Sequence, residues 1–282
     1  MAVTGTWLDD PTDKVCVVTG GAGGIGGALA ARFLEAGMRV VVADVEAAAI
    51  ASTVDALAGG DRVVGVTHDV RSLDDTERLR DAALDRFGAV HVVCLNAGVA
   101  PVGPMFATPP DVWEWVFDVN VRGVVHGAVT FGPVLADQGA GHVVCTASIA
   151  GVTDTPTLAP YGVSKHAVVG LAAALRRELA GSGVGVSVLC PGLIRTRIFE
   201  SERNRPEDMD DPSDDNPTSK AYRDMVEEGA PPALVADVVY QAIRDNQFFV
   251  FPTRDLDPLV EARLDDIRQG LEWRDARFPA TG

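Results

Sequence analysis

The sequence predicts an α/β fold: a doubly wound, mostly parallel sheet of about seven strands with helices on both faces. Three observations carry this. Short, near-continuous valine runs alternate with helical patterns along the chain. Strands apolar on both sides need helix layers over both faces, and right-handed crossovers then give the doubly wound arrangement. A glycine cluster, TGGAGGIG, lies between the first such run and the first helical pattern.

VCVVTG (15–20) reads as a buried strand and IGGALAARFLEAG (25–37) as a helix closed by Gly37. RVVVAD (39–44) is a second strand, followed by an alanine-rich helix over 46–58. RVVGVTHD (62–69) is a third strand, and 72–87 an amphipathic helix ending at Gly88. HVVCLNAG (91–98) is a fourth strand. After a proline-rich loop, 109–136 reads as a long helix broken near Pro133. HVVCTAS (142–148) is a fifth strand, 160–180 a helix, and VGVSVLCPG (184–192) a sixth strand. The acidic, proline-containing stretch at about 200–218 reads as a mobile loop or lid. A helix (231–245), a last strand (247–252) and a C-terminal helix (256–270) follow. With no internal repeat, residues 1–282 are expected to form one domain. Residues 1–13 would be an N-terminal extension and about 197–230 a substrate lid.

The chain has 282 residues, 47% of them hydrophobic, and a net charge of -16, with a pI near 4.6. Nothing resembles a basic stripe, so nucleic acid is not an expected partner. Cys16, Cys94, Cys145 and Cys190 each follow a valine or leucine in an apolar run. They read as buried strand side chains rather than a disulfide framework or a zinc site. The five histidines show no ligand spacing, and no metal is expected. MAVTGTWLDDPTDK lacks an apolar signal region, and residues 89–110 contain Asn96 and four prolines. Neither a secretory signal nor a membrane span is therefore expected, and a cytoplasmic protein is the default.

The glycines of TGGAGGIG let the backbone turn sharply and approach a pyrophosphate, which a helix N-terminus attracts. A structural turn is the alternative. Asp44 ends the second strand eighteen residues after Gly26, where an acid binds adenosine ribose hydroxyls. Its alternative is a helix N-cap. An acid there repels a 2′-phosphate, and Val45 rather than a basic residue follows it. This Rossmann-type arrangement favours NAD over NADP. Asp69 and Val70 follow the third strand and NAG (96–98) the fourth, both at the carboxyl edge where such sheets bind ligands. Either could equally be turn chemistry.

Tyr161 and Lys165 lie one helical turn apart in YGVSK, with Ser148 thirteen residues upstream. An ammonium beside a phenol favours the phenolate, lowering a pKa normally near ~10. A strand-end hydroxyl could hold a substrate oxygen against that phenol. Together these form a proton-transfer device for an alcohol or carbonyl.

TGGAGGIG, Asp44, HDV, NAG, Asn120 in VNVRG, Ser148, YGVSK and PGLIRT occur in the order found in short-chain dehydrogenases/reductases. The chain resembles the single-domain branch of that family over about residues 12–200. The resemblance implies Tyr161 as general acid/base, with Lys165 lowering its pKa and holding the nicotinamide ribose. It implies Ser148 orienting the substrate oxygen, and Asn120 holding a water in a proton relay. Gly20, Gly23, Gly24 and Gly26 would shape the pyrophosphate turn with Ile25. Asp44 and Val45 would meet the adenosine ribose, and Asp69 with Val70 the adenine. Asn96, Ala97, Gly98, Pro191, Gly192, Ile194 and Thr196 would line the nicotinamide half. The family also implies a homo-oligomer, a homotetramer or homodimer, packed through 109–136 and 160–180, with FFVFP as a second contact or only core.

Pocket walls are expected from Val99, Ala100, Pro101 and Met105, from Ala150, Thr153, Asp154 and Leu158, and from the segment after Thr196. Most are apolar, which suggests a hydrophobic secondary alcohol or ketone. Asp154, Arg195 and Arg197 are polar exceptions with solvated alternatives. The leading expectation is an NAD-dependent dehydrogenase. An NADP-dependent carbonyl or 3-oxoacyl reductase is the second reading, and a non-catalytic nucleotide-binding regulatory protein the third.

Overall fold

The computed structural model describes residues 10–206, 209 and 217–278. Its strands are β1 (Val15–Thr19), β2 (Arg39–Asp44), β3 (Val63–Thr67), β4 (Val92–Leu95), β5 (Gly141–Thr146), β6 (Val184–Leu189) and β7 (Phe249–Val250). The α-helices are α1 (Gly24–Glu35), α2 (Ala47–Leu57), α3 (Leu73–Phe87), α4 (Pro110–Phe117), α5 (Gly123–Gln138), α6 (Ala159–Glu178), α7 (Pro217–Glu227), α8 (Pro232–Arg244) and α9 (Asp257–Arg277). The strands form one seven-stranded sheet in the order β3-β2-β1-β4-β5-β6-β7. Every pairing is parallel. The chain winds outward from β1 to β3, then crosses back to β4 and winds the other way. The connections leaving the carboxyl ends of β1 and β4 therefore run to opposite faces of the sheet and open a crevice between them.

Alternation along the valine runs feeds two cores. Val17, Val41, Val93 and Val143 pack with Leu79 of α3, Phe131 of α5 and Val168 of α6. Cys16, Val18, Val40, Val42, Cys94 and Val144 face the other layer, with Leu29 and Phe33 of α1 and Val239 of α8. Each fully buried Leu or Phe contributes about 1.5–3 kcal/mol, so these cores hold the strand ends rigidly. Helix ends follow local chemistry. Ser72 caps α3 by accepting from the Asp75 amide at 3.1 Å, and Gly88 closes it at φ 78°.

Several boundaries differ from the sequence reading. The long helix is interrupted not at Pro133 but at Asp118–Arg122, a π-turn in which the Gly123 amide bonds the Asp118 carbonyl. Pro133 sits inside α5. The carbonyl that loses a partner belongs to Val129, a 56% exposed residue, so the helix tolerates it. The stretch expected as a loop begins with a 3-10 helix, Ile198–Asn204, and α7 starts at Pro217. Its polarity is used in specific contacts: the buried Ser201 hydroxyl accepts from the Ala100 amide at 2.9 Å. The acidic run Glu207–Asp215, Met209 apart, lies outside the described residues, as does the N-terminal extension before Asp10. The last strand is shorter than expected, with Val250 buried while Phe249 and Phe251 are partly exposed. Helix α9 runs to Arg277, past the expected end at 270, and buries none of its side chains. Among the described residues, no helix is long and apolar enough to cross a membrane.

Candidate active site

The glycine turn leaves β1 at Gly20, whose φ of 62° lies in the left-handed region. A Cβ there would sit 2.8 Å from the Ala97 backbone. A Cβ on Gly26 would lie 2.0 Å from the Gly20 carbonyl oxygen. Glycine is thus required for the turn to fold back on α1 and against the loop after β4. Nothing lies within 4 Å of a Cβ built on Gly23, and one on Gly24 would meet only Thr196 at 3.2 Å. The floor of the crevice is therefore bare backbone at the N-terminus of α1, a shape and dipole that suit a diphosphate.

Asn96 fastens three strand ends. Its amide donates to the carbonyls of Thr19 (3.1 Å) and Gly20 (3.2 Å) and its carbonyl accepts from Thr146 at 3.3 Å. Its backbone amide donates to the Thr19 hydroxyl at 2.9 Å. Thr19 and Thr146 carry this arrangement without having been singled out in the sequence. Asp44, at the end of β2, is held by two backbone amides, Ala22 (3.1 Å) and Glu46 (3.2 Å). It is not the N-cap of α2; that position belongs to Glu46.

Ser148, Tyr161 and Lys165 converge where β5 ends and α6 begins. Ser148 is buried, accepts from the Ala150 amide at 3.1 Å, and hydrogen-bonds the Tyr161 phenol. The Lys165 ammonium, also buried, donates to the Thr146 carbonyl at 2.9 Å and lies 5.6 Å from the Tyr161 ring centre. Burial pushes Lys165 down to about 8. Burial also raises the Tyr161 phenol above its ordinary value, against the opposing Ser148 bond. The expectation was a phenol depressed by the neighbouring ammonium; in the protein alone the direction is upward, with burial as its largest cause. Cys190, close enough to feel Lys165, is pushed up to about 12 by burial and stays a neutral thiol.

Asn120 is fully buried in the π-turn. Its side chain accepts from the Val99 amide at 2.8 Å and donates to the Val99 carbonyl and Ser164 hydroxyl, both at 2.9 Å. The side chain thus clamps the loop after β4 to α6. A Cβ on Gly98 would touch both Asn120 (3.2 Å) and Lys165 (3.3 Å), so glycine lets these groups approach.

One cavity of about 630 Å³ takes in the trio and the glycine turn. All residues expected to touch the cofactor line it except Gly26, which shapes the turn from behind. Asn120 also lies off the cavity. Of the expected pocket walls, Val99, Ala150, Asp154 and Leu158 face it; Ala100, Pro101, Met105 and Thr153 do not. Ala100 and Thr153 are buried, the Thr153 hydroxyl donating to the Ile149 carbonyl at 3.0 Å, and Met105 is 52% exposed. The remaining walls include Trp115, Phe199, Tyr222, Met225 and Leu259. Phe199, Tyr222 and Met225 come from the stretch expected as a lid, on the 3-10 helix and α7, whereas Trp115 of α4 and Leu259 of α9 were not anticipated. Asp154 stands at the mouth, 81% exposed and 3.9 Å from Arg263. Arg195 and Arg197 line the cavity with exposed side chains. Among the described residues, no group of three or more His, Cys, Asp or Glu could hold a metal ion.

Comparison with known proteins supports the same reading. Residues 14–207 match the family model described as short chain dehydrogenase. A 1-deoxy-11-beta-hydroxypentalenate dehydrogenase of Streptomyces arenae is 37% identical, the match covering 94% of this chain and 90% of that protein. A CLA biosynthesis dehydrogenase/reductase of Lactiplantibacillus plantarum is 30% identical, over 92% of this chain and 95% of its own. A short chain dehydrogenase/reductase from Burkholderia phymatum, solved in complex with NAD, superimposes with a TM-score of 0.88 at 37% identity, covering 93% of this chain and 96% of that one. The bare glycine floor, the ribose-side acid and the hydroxyl–phenol–ammonium trio fit a nicotinamide cofactor, and the chain belongs to the short-chain dehydrogenase/reductase family of oxidoreductases.

Proposed function

We propose that the protein is an NAD-dependent dehydrogenase, or ketone reductase in the reverse direction, for a bulky hydrophobic secondary alcohol. The carrying observation is the buried Ser148–Tyr161–Lys165 cluster at the head of a cavity whose other end reaches Asp44. NAD, when bound, supplies the hydride acceptor. In alcohol oxidation, Ser148 holds the substrate oxygen and Tyr161 takes its proton as general base. In ketone reduction, Tyr161 returns that proton. Lys165, in its charged form, stabilises the phenolate and orients the nicotinamide ribose. Asn120 fixes the loop beside Lys165, and a water held there would complete a relay.

Asp44 supports NAD over NADP. Its carboxylate is pinned by two amides at the crevice mouth, where it suits ribose hydroxyls and repels a 2′-phosphate. The apolar walls Trp115, Leu158, Phe199 and Met225 support a hydrophobic substrate. The hydroxypentalenate named for the Streptomyces relative is in keeping with such a pocket. One catalytic domain, cytoplasmic location and assembly as a homotetramer or homodimer belong to the same reading. An apolar groove between α5 and α6, lined by Val125, Val129, Leu171 and Leu175, supports the assembly.

The test is a panel of cyclic, aryl and terpenoid secondary alcohols followed by NADH absorbance, on wild type and Tyr161→Phe. The variant should lose turnover by at least about 10²-fold, the scale of general acid–base catalysis, while still binding NADH. Turnover surviving in Tyr161→Phe would refute the mechanism. Tighter binding of NADPH than NADH by wild type would refute the cofactor assignment.

A further inference from the structure

We infer that Glu46 is a second, indirect determinant of cofactor choice: it holds Arg203 in an ion pair and so withholds that guanidinium from a 2′-phosphate. The inference rests on the dinucleotide reading of the Asp44 end of the cavity. Glu46 and Arg203 are 157 residues apart in sequence and meet at the crevice mouth. The Glu46 carboxylate accepts from Arg203 Nε at 3.0 Å and Nη2 at 2.9 Å, and from the Asn204 amide at 3.0 Å. Arg203 Nη1 donates back into its own turn, to the Glu200 carbonyl at 2.9 Å and the Arg197 carbonyl at 3.5 Å. These four donated bonds hold the guanidinium in a fixed orientation. Burial raises the Glu46 carboxyl, but the Asn204 and Arg203 bonds outweigh it and hold it below its usual range, so the pair stays charged at neutral pH.

The pair adjoins the ribose acid. The Glu46 backbone amide is 3.2 Å from the Asp44 carboxylate, and Asp44, Glu46 and Arg203 all line the one cavity. A second arginine beside the adenosine end is treated alike: Arg71 is held by both oxygens of Asp69, its Nη2 at 2.7 Å. Each of these two cations is matched by its own acid. Asp44, by contrast, is held by two backbone amides, and Arg197, exposed on the cavity wall, also acts on Glu46. A 2′-phosphate brought there meets Asp44, while the Arg203 guanidinium that could bind it already has a carboxylate. Asp44 repels the phosphate, and Glu46 removes the competing attraction.

The experiment compares NADH and NADPH dissociation constants, by cofactor fluorescence, for wild type, Glu46→Gln and Glu46→Gln/Arg203→Met in the full chain. Glutamine keeps an acceptor for Asn204 but removes the charge that holds Arg203. The ratio Kd(NADPH)/Kd(NADH) should fall about tenfold in Glu46→Gln, as expected for gaining one charge-assisted phosphate contact near the surface. The added Arg203→Met should return the ratio to within about threefold of wild type. Glu46→Ala is the second variant should the glutamine variant fail to fold. An unchanged ratio, a gain that survives Arg203→Met, or equal weakening of both cofactors would each overturn the inference; the last would mark Glu46 as a structural strap only. A wild-type preference for NADPH would instead remove the NAD assignment, and the shift of the ratio in Glu46→Gln would still decide the role of Glu46.

Discussion

Replacing Gly26 by alanine should damage both the fold and cofactor binding, whereas the same change at Gly23 should damage binding alone. The Cβ of Gly26→Ala would lie 2.0 Å from the Gly20 carbonyl oxygen, 2.7 Å from the Asn96 amide nitrogen and 2.8 Å from the Gly20 carbonyl carbon. Ordinary contact begins near 3.4 Å. The turn must therefore open by more than an ångström. It cannot do so freely, because Asn96 ties Gly20 to β4 at 3.2 Å and Gly20 itself abuts the Ala97 backbone. Overpacking of this kind costs about 1–3 kcal/mol, and a clash against fixed backbone belongs at the upper end. For a chain of this size, that lowers Tm by roughly 6–12 °C. A displacement of that size at a positioning loop weakens function by about 10²-fold, and NADH affinity should fall accordingly. At Gly23 the backbone is extended, with φ 176° and ψ -179°, and a Cβ meets nothing within 4 Å. Stability there should change by no more than about 1 kcal/mol, the scale of an N-cap substitution, while the methyl group projects onto the crevice floor and weakens NADH. Thermal unfolding without cofactor and NADH titration read the two effects separately. Wild-type Tm and NADH affinity in Gly26→Ala, or equal destabilisation of both variants, would refute the account of the turn.

On the proposed mechanism, Lys165→Met removes the charge that favours the phenolate. Burial holds the Lys165 ammonium at about 8, so on the proposed mechanism its help to Tyr161 should be present below that pH and fade above it. The rising limb of kcat/KM for alcohol oxidation should move at least about one pH unit higher in the variant; an unchanged profile would separate Lys165 from the phenol. Buried His142, bonded to Ser187 at 2.8 Å, is held down to about 3. Below pH 6.5 the unfolded chain binds a proton there that the native state refuses. Stability is full above pH 6.5 and falls as pH drops toward 3, by a few kcal/mol, about 1.4 for each pH unit of depression. Urea titrations should show a shallower acid slope in His142→Gln, and an identical slope would refute the assignment. Tyr222 donates to the Pro156 carbonyl at 3.0 Å and lies 3.2 Å from the Thr157 hydroxyl, closing α7 over the substrate end. Tyr222→Phe loses about 1 kcal/mol of that closure, so KM for a bulky alcohol should rise about fivefold with NADH affinity unaltered.

The order of strands and helices, the glycine turn, Asp44 and the hydroxyl–phenol–ammonium trio were legible in the chain itself. Each is written in local spacing: valine runs for strands buried on both faces, a four-residue step for Tyr161 and Lys165, glycine where backbone must turn. Local pattern misjudged Pro133, because a proline's cost depends on whether the carbonyl it orphans faces an exposed side of the helix. It also read Ile198–Asn204 as part of a loop, since nothing near Ser201 announces the Ala100 amide 101 residues away. The tightening of Asn96 across three strand ends, the raised Tyr161 phenol, the walls from α4 and α9, and the Glu46–Arg203 pair were decided only by tertiary structure. These depend on which strands become neighbours and on how much water the packed site excludes. Crossovers and burial determine both, and neither is encoded in the spacing of adjacent residues.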